Sequence, residues 1–258
     1  MPGSNVPKKA YKNPDFLHSE EARTIRILSE YLEPTYRFDE FKINNTILFL
    51  GSARANPDDK NSPLYRYYWD AEQLAFLLAE WAISLKPRGK NFVICTGGGP
   101  GIMEAANRGA TRAGGLTIGL NISLPHEQAP NPYISSELNM MFHYFFMRKF
   151  FLLNRARAIM AFPGGFGTLD ELFEVLTLVQ TDKIHRDRLY ILLYGKEYWD
   201  SLINFKELIR RGTISPDDLS LFRFVSSPEE AFAFLQSHLP RFLPIENNPK
   251  KSPTAKNK

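Results

Sequence analysis

Glycines, a hydroxyl and a carboxylate crowd together in Pro163-Gly164-Gly165-Phe166-Gly167-Thr168-Leu169-Asp170-Glu171. An apolar run ends just before them at residue 162. After them, Leu169, Leu172, Phe173, Leu176 and Val179 recur at helical spacing. A strand, a glycine-rich turn and a helix together aim backbone N–H groups at an anion, and the glycines allow close approach of a ligand. Gly164, Gly165, Gly167 and Thr168 are therefore candidate phosphate contacts, with Glu171 one turn further on. The same letters also satisfy a plainer pattern: Thr168 as N-cap and Glu171 three residues on make a capping box.

A second glycine turn, Gly97-Gly98-Gly99-Pro100-Gly101, follows the apolar segment 92–96 and precedes a helical pattern. A third, Gly51-Ser52-Ala53-Arg54, follows the apolar segment 46–50 and adds a hydroxyl and a guanidinium. Turns of this kind at the carboxyl ends of neighbouring parallel strands form a crevice for a phosphate- or nucleotide-sized ligand. Ser52 and Arg54 would line it, unless the arginine is merely solvated. Arg148 and Lys149 interrupt an otherwise apolar helix, FFMRKFFLLNR. Their long side chains either snorkel to water or meet an anionic partner, the ligand or Glu171.

The elements that must position these groups alternate between apolar strands and helices. The strands lack a polar/apolar alternation, as expected when both faces are covered. With right-handed crossovers this predicts an α/β fold, a Rossmann-like open parallel sheet with helices on both faces, in a single domain over residues 19–242. Residues 1–18 and the basic tail 243–258 read as poorly ordered ends. A helix capped at Ser19 and stopped by Pro34 precedes the first strand, with Ile25, Leu28 and Leu32 on its apolar face. One helix is expected over residues 198–210, and a last one begins at Ser227-Pro228. The proline-rich stretch 123–137 has the length of a ligand-covering loop.

GGGPGIMEAANRGA at 97–110, MRK at 147–149 and PGGFGTLDE at 163–171 resemble the signature set of the LOG-like family, long labelled "lysine decarboxylase-like". That family includes cytokinin-activating nucleoside 5′-monophosphate phosphoribohydrolases and related nucleotide 5′-monophosphate nucleosidases. The resemblance spans residues 46–195. It implies Arg148 and Glu171 as the catalytic pair, with substrate contacts from Gly97, Gly98, Gly99, Ser52, Arg54 and Lys149 beside the 164–168 loop. It implies hydrolysis of a purine nucleoside 5′-monophosphate, AMP or an N6-modified relative, to free base and ribose 5-phosphate, with no cofactor. It further implies a homodimer, or a higher homo-oligomer, with the arginine-bearing helix near the contact; Phe145, Phe146, Phe150 and Phe151 suit such burial. The alternative on the same fold is a nucleotide-binding or sensing protein without turnover, since function lives in the site.

Other chemistries find little support. The first glycine turn lacks the third glycine of a dinucleotide fingerprint, because Ile102 stands there, and Asn121 stands where a ribose-binding carboxylate would be wanted. No P-loop lysine follows. His18, His126, His143, His185 and His238 show no metal-ligand spacing, and there is no G-x-S-x-G elbow. Decarboxylation would need a lysine for a pyridoxal Schiff base, and Lys149 beside Arg148 gives no sign of one. Glu104 either complements a helix dipole or faces the pocket.

At 258 residues, with 43% hydrophobic and 23% charged residues, the chain can bury a sizeable core. Its net charge of +4 is concentrated at the ends, so nucleic-acid binding is not expected. A module that interacts through the basic tail is a weaker alternative. A lone cysteine, Cys95, excludes an intrachain disulfide. Without a leader or a membrane-length apolar run, the expected compartment is the cytoplasm.

Overall fold

A computed structural model of the chain describes residues 7–85, 91–123 and 129–243. Seven strands form one parallel sheet in the order β4-β3-β2-β1-β5-β6-β7. They are β1 (Thr46–Leu50), β2 (Val93–Thr96), β3 (Thr117–Ile122), β4 (Asn139–Phe142), β5 (Ala156–Ala161), β6 (Tyr190–Tyr194) and β7 (Arg223–Val225). The helices are α1 (Pro14–Leu17), α2 (Arg23–Glu40), α3 (Tyr65–Ser84), α4 (Ile102–Arg112), α5 (Phe145–Asn154), α6 (Phe166–Gln180), α7 (Lys196–Leu202), α8 (Phe205–Arg210) and α9 (Pro228–His238). This is the expected Rossmann-like α/β architecture.

The central strands are buried on both sides, which explains their unbroken apolar runs. Leu48 and Leu50 face one core with Phe38, Phe151, Leu172 and Trp199. Ile47 and Phe49 face the other with Tyr68, Leu74, Ile102 and Leu235. Helices α3 and α4 cross closely over Gly109, where a β-carbon would overlap the carbonyl of Glu72. Strand order reverses direction between β1 and β5, so the loops leaving their carboxyl ends diverge and open a crevice.

Several boundaries differ from the sequence reading. Helix α2 starts at Arg23, and Pro34 lies inside it rather than ending it. The proline deprives the carbonyl of Glu30 of its helical donor, but Pro34 and Phe38 are buried, and that packing carries the helix past the defect. The 198–210 helix is two. Helix α7 stops at Leu202, and Asn204 starts α8 by accepting from the Glu207 amide at 3.0 Å. Within the segment expected to be poorly ordered, residues 10–12 form a 3-10 turn and Pro14–Leu17 a helical turn. The tail reading, from residue 244 on, lies outside the described residues. At α9 the expected cap is present: Ser227 Oγ accepts from the Glu230 amide at 3.1 Å, and the Glu230 carboxylate accepts from the Ser226 amide at 2.8 Å. Among the described residues no helix is long and apolar enough to cross a membrane.

Candidate active site

Three loops meet at the reversal of strand order. The Ser52 amide donates to the carbonyl of Pro163 at 3.0 Å, and the Ile102 amide donates to the carbonyl of Ser52 at 3.0 Å. The turns after β1, β2 and β5 are thus stitched to one another through main-chain atoms. Gly101, at φ 69°, lies so close to this seam that a β-carbon would overlap Ser52 and Ala53. Over the seam lies a cleft of about 690 Å³, within the usual range for small-molecule sites.

Helix α6 enters this cleft with its N-terminus. It begins at Phe166, so Gly165 is the N-cap and Thr168 the third helical residue. The Thr168/Glu171 capping box is therefore not formed: Thr168 is already helical and cannot cap. No side chain caps the helix, and its first turn carries no acid. The leading amides have no intrahelical carbonyl, and the positive end of the dipole stays uncompensated. The Thr168 hydroxyl packs over Gly164, where a β-carbon would overlap it. Tyr198, on α7, donates its hydroxyl to the carbonyl of Gly164 at 2.6 Å and fixes that loop from below.

Arg148, in the first half of α5, reaches over the sheet edge. Its Nε donates to the carbonyl of Leu120 at 2.8 Å, and its Nη1 stands 3.9 Å from Glu171 Oε1. Gly97 makes room for the guanidinium; a β-carbon there would overlap Nη2. The Glu171 side chain is only 19% exposed. Burial raises its pKa above the usual carboxylate value, and the Arg148 charge opposes that rise. Cys95 lies beneath, and burial pushes its thiol up to about 12, so it is inert packing.

Of the sequence candidates, Ser52, Arg54, Gly97, Arg148, Gly164, Gly165, Gly167, Thr168 and Glu171 all line the cleft. Arg54 is exposed and makes no ion pair among the described residues. Gly98, Gly99 and Lys149 do not line it. The carbonyls of Gly98 and Gly99 accept from Asn131 Nδ2, at 3.1 and 3.0 Å, and the Gly98 amide donates to Thr96 Oγ1 at 3.0 Å. Lys149 points away to Asp170 at 2.6 Å and Glu174 at 3.1 Å. Burial lowers its pKa, the two carboxylates raise it, and the net is a rise.

The sequence reading missed Tyr198, Met103, Leu64 and Leu202, which complete the cleft wall. It also missed a buried network in which Asn107 joins Thr96 at 2.7 Å and Asn131 at 2.9 Å. Nothing local marks these residues, because their partners are far away in the chain. Glu104 accepts from the Tyr68 hydroxyl at 2.9 Å and is not on the cleft wall. Residues 124–128 of the expected covering loop lie outside the described residues. Of the rest, Asn131 clamps the second glycine turn, and none lines the cleft.

Residues 103–235, just over half of the chain, match the family described as "Possible lysine decarboxylase". The chain belongs to this family. Curated relatives of this LOG family include a probable cytokinin riboside 5′-monophosphate phosphoribohydrolase, LOGL5, of Oryza sativa subsp. japonica. It is 28% identical over 202 residues, covering 77% of this chain and 74% of the relative. The Arabidopsis thaliana cytokinin riboside 5′-monophosphate phosphoribohydrolase LOG1 is 36% identical over 95 residues, which span 36% of this chain and only 44% of that protein. A Moco carrier protein from Chlamydomonas reinhardtii shares the fold at a TM-score of 0.50 and 19% identity, over 77% of this chain and 99% of that one.

Proposed function

We propose that this LOG-family protein hydrolyses the N-glycosidic bond of a purine nucleoside 5′-monophosphate, releasing the free base and ribose 5-phosphate. The observation that carries the reading is one cleft with both an uncapped helix N-terminus and, deeper in the same helix, a partly buried carboxylate facing an arginine. The 5′-phosphate would sit on the amides of residues 166–168 with Gly164, Gly165 and the Thr168 hydroxyl, and Arg54 would close over it. Glu171 follows roughly 7 Å along the helix axis at 1.5 Å per residue, about the reach from a 5′-phosphate to the anomeric carbon of its ribose.

The reaction then needs little else. As the bond between C1′ and the base nitrogen lengthens, positive charge grows on the ribose ring, and the Glu171 carboxylate stabilises it. Water attacks C1′ and gives its proton to Glu171, the departing nitrogen keeps the bonding pair, and that proton passes on to the base, returning Glu171 to its carboxylate. Arg148 holds the carboxylate ionised and orients the sugar. The phosphate grip supplies remote binding energy that fixes the ribose in a reactive pose. AMP or an N6-modified adenine nucleotide suits a wall that includes Leu64, Met103, Leu169 and Leu202.

The decarboxylation in the family's description fits this chain poorly. A pyridoxal group needs a lysine in the cleft; none lines it among the described residues, and Lys149 is committed to two carboxylates.

A homodimer is part of the same proposal. Phe145, Phe146 and Phe150 on α5 are exposed beside Ile25, Leu28, Tyr31 and Leu32 of α2, an apolar surface that a second copy would cover. Phe151 is not part of it, being buried in its own core. The compartment proposed is the cytoplasm, with neither nucleic acid nor membrane as partner.

Chromatographic analysis of products from a panel of nucleoside 5′-monophosphates tests the reaction. Free base from wild type, lost in Glu171→Ala and Arg148→Ala, is the expected result. Nucleotide binding without base release from any of them would replace the enzyme with a binder.

A further inference from the structure

At the opposite, amino-terminal end of β5 and β6, a second pocket of about 160 Å³ is lined by Asn154, Arg157, Lys183, His185 and Arg188, with apolar residues between them. No acidic side chain lines it. The acids nearby are already taken: Asp182 pairs with His185 at 3.0 Å, and Asp187 pairs with Arg241 at 3.4 Å.

Three cations there remain unbalanced. Arg157 is half-buried over the Phe242 ring; its Nε donates to Asn45 Oδ1 at 2.8 Å and its Nη1 to the Ala156 carbonyl at 3.3 Å. Neither contact supplies charge, and Nη2 has no partner among the described residues. The side chains of Lys183 and Arg188 likewise have no acidic partner there. Burial lowers the Arg157 pKa, and the Arg188 charge lowers it further, so the two guanidiniums repel each other across the pocket. Basic residues often gather where helix carbonyls end, and α5 ends here. Arg155 is neutralised by Asp39 at 2.6 Å and also donates to the Ile43 carbonyl. Helix-end carbonyls do not explain Arg157, Lys183 or Arg188, none of which donates to one among the described residues.

We propose that this pocket is a second anion site, separate from the cleft, which takes a small phosphate-bearing ligand of pyrophosphate size. Like charges held together on a concave surface are relieved by an anion, and guanidiniums suit phosphate oxygens. The pocket is too small for a drug-sized ligand, so only the phosphates enter it. It lies one strand length, roughly 17 Å at 3.3 Å per residue, from the cleft. Helix α5, which carries Arg148, ends at it, and the segment after α6, which carries Glu171, forms one wall.

Calorimetric titration of the full chain with inorganic pyrophosphate, and separately with ADP, tests the site. The variants are Lys183→Gln/Arg188→Gln, both exposed positions, and the cleft variant Arg54→Gln. A binding component that weakens at least tenfold in the double variant, persists in Arg54→Gln and fades with added salt is expected. If pyrophosphate alone shows it, the ligand is an inorganic anion; if ADP also shows it, the diphosphate of a nucleotide is accepted. Equal binding by wild type and double variant, loss of all binding in Arg54→Gln, or no binding by wild type would each overturn the proposal. Base release from nucleoside monophosphates is expected unchanged in the double variant, so the two sites are read separately.

Discussion

Arg148 Nη1 and Glu171 Oε1 approach to 3.9 Å without sharing a hydrogen bond, while Arg148 Nε is held at 2.8 Å by the carbonyl of Leu120. The arginine is anchored to the sheet and only leans on the carboxylate by charge. The Glu171 carboxylate therefore accepts no hydrogen bond from Arg148.

Replacing Glu171 by Gln removes that charge with little change of shape. Base release is expected to fall by roughly a hundredfold or more, with nucleotide affinity retained. Single-turnover product analysis beside equilibrium binding would separate the two effects. Loss of both together would assign Glu171 to binding.

The raised pKa of Glu171 fixes a sign for stability. Its proton binds more tightly in the folded than in the unfolded chain, so its contribution is fully present below the ordinary glutamate pKa. It is lost as pH rises through the folded value. Glu171→Gln has no such loss and is expected to melt higher than wild type at neutral pH. The gap should close as pH falls through the carboxylate range. Activity should run the other way, with an acid limb centred above the usual glutamate pKa. Melting curves and rates across that range check both.

Gly97→Ala would place a methyl group against the Arg148 guanidinium and Met103. The displaced charge predicts a kcat loss of roughly tenfold or more, with a small change in Tm. A variant as active as wild type would show that Arg148 can shift without consequence.

Tyr198→Phe deletes the hydroxyl that holds the Gly164 carbonyl. About 1 kcal/mol of loop fixation is at stake. A several-fold rise in KM for the monophosphate is expected, with affinity for the free base unmoved. Isothermal titration with both ligands distinguishes this outcome from a general loss of folding.

The apolar surface of α2 and α5 predicts self-association. Phe146 is 52% exposed, and Phe146→Asp is expected to give a monomer by light scattering while leaving the secondary structure intact. A wild type that is itself monomeric would remove the homodimer from the proposal.

The sheet and most of the cleft could be read from the chain because their signals are local. Unbroken apolar runs mark strands covered twice, and glycines after them mark turns that approach a ligand. The differences arose where distant packing decided. Pro34 fails to stop α2 because Phe38 and the proline are buried against the sheet. Thr168 misses its cap because α6 starts at Phe166 over an open glycine. Gly98 and Gly99 stand off the cleft wall, and Asn131, thirty-odd residues on, holds their carbonyls. Lys149 stands next to Arg148, but a helical step of about 100° turns it to Asp170 and Glu174.

The seam of amide-to-carbonyl bonds among the turns after β1, β2 and β5 has an evolutionary corollary. Because the seam is built from peptide groups, a lineage can exchange Leu64, Met103 or Leu202 without dismantling it. Under the proposed reaction, new bases can then be sampled one rim substitution at a time over an inherited main-chain frame.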